Sequence, residues 1–190
     1  MSLRNAVELS HYCVKMVVRP DDTVIDATCG NGHDTLFLAR LVPEGRVLAF
    51  DISPLAINNT AARLEEHGVS ERVELFQEDF RNLRDYVKSP VAAIMFNLGY
   101  LPGASRETAT KAEHSRQAVE RAVKLVRPGG VVTVVCYRGH QGGPEETSEI
   151  FAVTAGLSQK EFKVLKIDFL NQVNNPPLLV AVYRLEGDRA

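Results

Sequence analysis

The residues best suited to chemistry stand where apolar runs end. "DATCGNG", residues 26–32, follows Val24-Ile25 and precedes "HDTLFLARLV". Gly30 and Gly32 let a backbone turn tightly and approach a ligand with no Cβ in the way. A dinucleotide fingerprint needs a third glycine where this chain has Thr35, and no Gly-Lys-Ser/Thr completes a phosphate loop. Asp26 at the head of the turn would repel a pyrophosphate. It suits a cationic ligand, or one with an amino group and hydroxyls. Asp51 ends the next run, "RVLAFDI", where a carboxylate can take both ribose hydroxyls. Asp79, in "EDF" after the third run, can accept from an adenine amino group. Acids at the ends of three consecutive runs describe a site for S-adenosylmethionine. The residues expected to hold it are Asp26, Ala27, Thr28, Gly30, Asn31, Gly32, His33, Asp34, Asp51, Ile52, Asp79, Phe80 and Asn97. His33 either touches the methionine moiety or caps the helix that follows.

"NLGYLPG", residues 97–103, leaves the fourth run. It is similar to the Asn-Pro-Pro-Tyr motif of amino-group methyltransferases, with Leu98 and Gly99 in place of the prolines. An amine nucleophile must be neutral, desolvated and in line with the methyl group. The Asn97 amide oxygen and the Leu98 carbonyl can accept its N–H bonds and fix the lone pair. Tyr100 can stack on a planar base, worth roughly 1–3 kcal/mol. Asn97 and Tyr100 are the expected catalytic residues. His140, in "YRGHQGG", either joins them as a contact or proton acceptor or sits in a glycine loop with no catalytic role. Substrate contacts are expected from Leu98, Gly99, Tyr100, Pro102, Arg106 and Asn174. Asn174 and Asn175 equally suit a plain turn. His11 shares a helix face with Val7, Val14 and Val18 and reads as a packed or capping residue, with substrate contact as the alternative.

These residues need a scaffold that places strand ends side by side. An amphipathic opening helix runs from Ala6 to Val18 and stops at Arg19-Pro20. Strands are expected at residues 23–28, 46–52, 72–77, 91–97, 131–137, 162–170 and 177–185. Helices are expected at 33–42, 53–68, 81–87, 111–126 and 144–157. In the second of these, Ser53 is the N-cap, Pro54 the first residue and Gly68 the terminator. The alternation predicts a mostly parallel α/β sheet covered on both faces. The last two strands lack a helix between them, so the last inserts antiparallel. One domain over residues 1–190 is expected, with the helix of 1–19 packed on its core.

The 190 residues are 45% hydrophobic and 24% charged, as in ordinary soluble proteins. No apolar stretch approaches the ~20 residues that span a bilayer. The N-terminus lacks a secretory pattern, which makes the cytoplasm the expected location. Cys13, Cys29 and Cys136 form neither a disulfide framework nor a metal-spaced cluster, so no metal is expected. A net charge of −2 does not announce a nucleic-acid binder. Arg4, Lys15, Arg19, Arg106, Lys111, Arg116 and Arg138 either form a local RNA-binding patch or lie on a solvated surface.

"DATCGNGHDTLFLA", "AFDIS", "FNLGYLPG", "YRGHQGG" and "NQVNNPPLL" together resemble the YtqB-like, MnmM-type family of RNA methylases. The resemblance runs from about His11 to Leu185. It implies a class I, Rossmann-like S-adenosylmethionine-dependent methyltransferase fold with a seven-stranded sheet. It also implies methylation of the 5-aminomethyl amine of wobble 2-thiouridine, with the tRNA anticodon arm as partner. Two stretches depart from the family: "LPGASRETATK" replaces a shorter Gly-Gly-Asp pattern, and Asp79-Phe80 stands where a His-Glu pair is usual. The role of Asp79 therefore rests on the residue reading alone. Ribosomal RNA and a small-molecule amine are the alternative acceptors. A non-catalytic RNA-binding or nucleotide-sensing module is the alternative of another class. A homodimer would enlarge the surface open to RNA.

Overall fold

Runs rich in Val, Ile, Leu and Phe form the strands, and amphipathic stretches between them form the helices. The computed structural model describes residues 4–99 and 112–187. In chain order the elements are α1 (Ala6–Lys15), β1 (Thr23–Asp26), α2 (His33–Leu41), β2 (Arg46–Asp51), α3 (Pro54–Glu66), β3 (Val73–Gln77), α4 (Leu83–Tyr86), β4 (Val91–Leu98), α5 (Ala112–Leu125), β5 (Val126–Cys136), α6 (Gly143–Ala155), β6 (Phe162–Ile167) and β7 (Leu178–Arg184). The seven strands make one sheet in the order β3-β2-β1-β4-β5-β7-β6. Strands β1 to β5 pair in parallel, and β7 runs antiparallel to both β5 and β6. The order reverses between β1 and β4, and sheets of this kind bind ligands at such a point, beyond the carboxyl ends of the strands.

Successive strand residues face opposite sides of the sheet. Ile25, Phe50, Ile94, Phe96, Val132 and Val134 pack on one face against Ala118, Val119 and Ala122 of α5 and Ile150 of α6. Val24, Val47, Ala93, Met95, Val131 and Val135 pack on the other against Ala6 and Val14 of α1 and Leu36 and Leu38 of α2. Ser53 caps α3 by accepting from the Ala56 N–H, as its type and place predict. Among the described residues no helix is long and apolar enough to cross a membrane.

Among the boundaries that differ from the sequence expectation, two have a tertiary cause. α1 ends at Lys15 rather than Val18. The Val17 carbonyl there accepts from Arg127 Nη2 at 3.1 Å, and the same nitrogen donates to Asp22 at 2.9 Å. A partner distant in the chain thus takes the carbonyl of the turn after the helix. The second difference is "RPGG", which reads as a helix-terminating loop but belongs to β5. Pairing with β4 jumps from Val91–Val126 to Ala93–Val131, so residues 127–130 bulge out. Gly130 is required in that bulge, because a Cβ would stand 2.5 Å from the Ala92 carbonyl oxygen.

Candidate active site

The turn from β1 to α2 is built by backbone bonds that borrow from both neighbouring strands. Ala27 N–H donates to the Met95 carbonyl of β4, and Cys29 N–H to the Phe50 carbonyl of β2, each at 2.9 Å. Gly30 and Gly32 adopt positive φ, at 51° and 78°. α3 clamps the turn from outside: Thr60 Oγ1 donates to the Gly30 carbonyl at 3.1 Å, and Arg63 Nε to the Asn31 carbonyl at 2.6 Å. Asn59 Nδ2 adds a bond to Asn31 Oδ1 at 2.9 Å. The turn is therefore preorganised by protein contacts alone.

Asp51, at the end of β2, accepts from Gly30 N–H at 3.0 Å through one oxygen and from Ser53 N–H at 2.9 Å through the other. Each oxygen keeps a further lone pair for hydroxyl donors. Asp26 behaves differently from the expected ligand-facing acid. It is 1% exposed, beneath the turn, and accepts from Thr28 N–H at 3.1 Å and Thr35 Oγ1 at 2.6 Å. Thr35, the residue in place of a third glycine, is thus the internal partner of this acid. Burial first, then the nearby charge of Asp34, raises the Asp26 carboxyl to about 7, and Asp51 adds to the same effect. The field at the turn is negative, which favours a cationic ligand.

Asn97, near the end of β4, is held at three atoms. Its backbone N–H donates to Thr28 Oγ1 at 2.8 Å, and its Nδ2 to Asp34 Oδ2 at 3.2 Å. Its Oδ1 is buried with no hydrogen-bond partner among the described residues. Beyond it, Gly99 N–H returns to the Asn97 carbonyl at 3.0 Å. A Cβ on Gly99 would lie 3.3 Å from the Tyr137 ring, so glycine lets that ring close on the turn.

This arrangement can be compared with known proteins. Residues 47–183 match the family described as "Putative rRNA methylase". The chain belongs to this rRNA methylase family. It is 34% identical, over 97% of its length and 71% of the other protein, to the chloroplastic tRNA (mnm(5)s(2)U34)-methyltransferase of Arabidopsis thaliana. A crystal structure described as a "putative rRNA-methylase" from Clostridium thermocellum is 43% identical. It matches with a TM-score of 0.93 and covers 97% of this chain and 100% of that one. A "putative methyltransferase" from Streptococcus mutans in complex with SAH is 32% identical with a TM-score of 0.88, again covering 97% and 100%. The fold is that of the class I methyltransferases, and the cofactor of the family is S-adenosylmethionine.

The residues present fit that cofactor. A negative field at the turn, unused lone pairs on Asp51 and the unpartnered Asn97 Oδ1 match a sulfonium, a ribose and a donor group respectively. Ile52, 51% exposed beside Asp51, offers an apolar surface to a planar base. In this member of the rRNA methylase family several predicted residues are committed elsewhere. Asp79 is held by Arg81, whose Nε and Nη2 lie 2.7–3.0 Å from its oxygens; burial pushes its carboxyl up, but the side-chain and backbone hydrogen bonds and the charge of Arg81, with that of His114, together keep it low. Phe80 packs edge-on against Phe96. His33 is exposed and turned onto Arg63 at 3.2 Å. The Leu98 side chain is 1% exposed in the core, so only its backbone can meet a substrate.

His140, expected at the strand-four mouth, packs against Gly143 at the start of α6, and its Nδ1 meets the Gln141 carbonyl at 2.9 Å. Arg138, a candidate for a basic patch, is committed to Asp168, at 2.9 and 3.0 Å, and to the Pro176 carbonyl. It thereby ties down the loop carrying Asn174 and Asn175, which are exposed with φ of 65° and 49°. Tyr100, Pro102, Arg106 and Lys111 lie outside the described residues. Burial pushes the Cys29 thiol well up and the Cys136 thiol to about 12, which rules both out as nucleophiles. Tyr137, not singled out from the sequence, stands at the site against Gly99, and His11, read as packed or capping rather than as a substrate contact, is bonded to Asp34. The available signal for His11 was a histidine on the inward face of an otherwise apolar helix.

Proposed function

We propose that this chain transfers a methyl group from S-adenosylmethionine to the 5-aminomethyl amine of wobble 2-thiouridine in tRNA. The observation that carries the reading is the buried, unpartnered Asn97 Oδ1 at the reversal point of the sheet. A buried acceptor without a donor is costly, and an N–H of an incoming amine satisfies it. The name of the Arabidopsis relative, which specifies the same nucleoside, supports the choice of acceptor.

When bound, S-adenosylmethionine supplies an electrophilic methyl group on a sulfonium. Asp51 and the Gly30–Gly32 turn would hold its ribose and its methionine end. Asn97 Oδ1 and the Leu98 carbonyl accept the amine N–H bonds and leave the nitrogen lone pair free. Positioning of this kind contributes up to ~7–11 kcal/mol to a bimolecular transfer. Tyr100 would stack on the base. The anticodon arm is the partner in this reading. The cytoplasm is its compartment, a placement supported by the three free, buried cysteines.

The test is incubation with labelled S-adenosylmethionine and tRNA bearing 5-aminomethyl-2-thiouridine, followed by nucleoside analysis. Label is expected in the 5-methylaminomethyl nucleoside. No label in that nucleoside, or label only on ribosomal RNA offered in a parallel reaction, would overturn the assignment. Asn97→Ala is expected to lower transfer by roughly 100-fold while S-adenosylhomocysteine affinity is retained. Equal loss of both would make Asn97 a cofactor residue instead.

A further inference from the structure

We propose that His11 is a positioning residue which, through Asp34, holds the Asn97 amide with its oxygen rather than its nitrogen presented to the methyl acceptor. The consequence for catalysis rests on the amine-methylation reading above, while the positioning itself stands on geometry.

His11 Nε2 lies 2.7 Å from Asp34 Oδ1, and Asp34 Oδ2 lies 3.2 Å from Asn97 Nδ2. An ionised carboxylate only accepts hydrogen bonds, so both neighbours must donate to it. His11 therefore presents Nε2–H, and Asn97 turns its NH2 group toward Asp34. An amide has two ends, and fixing the donor end fixes the acceptor end. Oδ1 is left on the other side, buried and without a partner among the described residues. The Asn97 backbone N–H is tied to Thr28 Oγ1. A flip about the terminal torsion would break the bond to Asp34.

A flipped amide would present N–H groups to the amine lone pair. That arrangement engages the electrons needed for attack and leaves the amine N–H bonds unpaired. Asp34 itself has an 8% exposed side chain, and a carboxylate so buried is costly without donors. Losing the His11 donor leaves Asp34 underpaired and free to turn. The His11 ring is placed for this task by a parallel stack on Phe37, with centroids 3.8 Å apart and 2° between planes. The helix α1 thus reaches the site through one side chain.

His11→Phe keeps a ring to stack on Phe37 and removes the donor. His11→Gln places an amide N–H within reach of Asp34. Two readouts are taken on each: steady-state transfer to the tRNA, with S-adenosylhomocysteine affinity by calorimetry, and the Asn97 side-chain amide resonances in 15N-labelled protein, identified by their loss in Asn97→Ala. His11→Phe is expected to lower kcat by roughly 10–100-fold, with KM for tRNA and cofactor affinity unchanged. Its Asn97 amide pair should move toward the ordinary solvent-exposed position and exchange faster. His11→Gln is expected to restore most of both. Unmoved Asn97 resonances in His11→Phe would overturn the proposal, as would a fall in cofactor affinity matching the fall in rate. A wild-type protein that transfers no methyl to this tRNA would overturn the assigned substrate alone, and the amide resonances would still decide the role of His11.

Discussion

An aspartate that ionises near 3.8 in an unfolded chain holds its proton up to about 7 at position 26, because burial removes water and Asp34 adds like charge. Between those two values the folded state binds a proton that the unfolded state has lost. Stability therefore falls as pH rises through this window, and the full cost is present above about 7. The shift corresponds to a cost on the order of 4 kcal/mol. Asp34, Asp51 and Cys29 are the titratable groups facing it. Asp26→Asn can keep both hydrogen bonds, accepting from Thr28 and donating to Thr35. The variant is expected to be the more stable protein at pH 8, with an advantage that shrinks toward pH 4. Urea denaturation at a series of pH values checks this, and a pH-independent difference would contradict it. The acid in the turn was legible from its place in the sequence. Its inward orientation was not, because that depends on the bond to Thr35 and on the strands stacked around it.

At the scale of elements, the turn and α3 form one unit. Gly32 has a φ of 78°, and a Cβ there would stand 2.9 Å from the Thr60 Cα. Gly68 has a comparable φ of 64° with nothing within 4 Å of its missing Cβ. Gly68→Ala is expected to cost about 1 kcal/mol, from left-handed strain alone. Gly32→Ala adds the clash with α3 and is expected to cost roughly 2–3 kcal/mol and to weaken S-adenosylhomocysteine binding. Denaturation midpoints and calorimetry of the two variants separate strain from displacement. The turn glycines, the Ser53 cap and the strand–helix alternation are local features, and each is readable within a few residues. The end of α1 and the start of β5 are not local. Arg127, placed by the bulge in β5, takes the Val17 carbonyl and pairs with Asp22, partners more than a hundred positions away.

For the molecule as a whole, a ligand that binds only the folded state raises stability by mass action. S-adenosylhomocysteine at about 100 times its Kd is expected to add ~2.7 kcal/mol and to raise Tm by roughly 5–10 °C. A thermal scan with and without the ligand measures it, and Asp51→Ala should abolish most of the shift. Periodicity and turn chemistry, which act over short windows, determined the seven strands, the antiparallel hairpin at the end and the acids and asparagine at the strand ends. The tertiary structure decided which of those groups meet. Asp34 bonds to His11, 23 residues before it, and to Asn97, 63 residues after it, while Thr28 and Asn97 are 69 apart. Asp79, by contrast, closes on Arg81, two residues away. The strand order β1-β4 brings the distant groups within hydrogen-bond reach, and no short window of sequence contains both partners of such a bond.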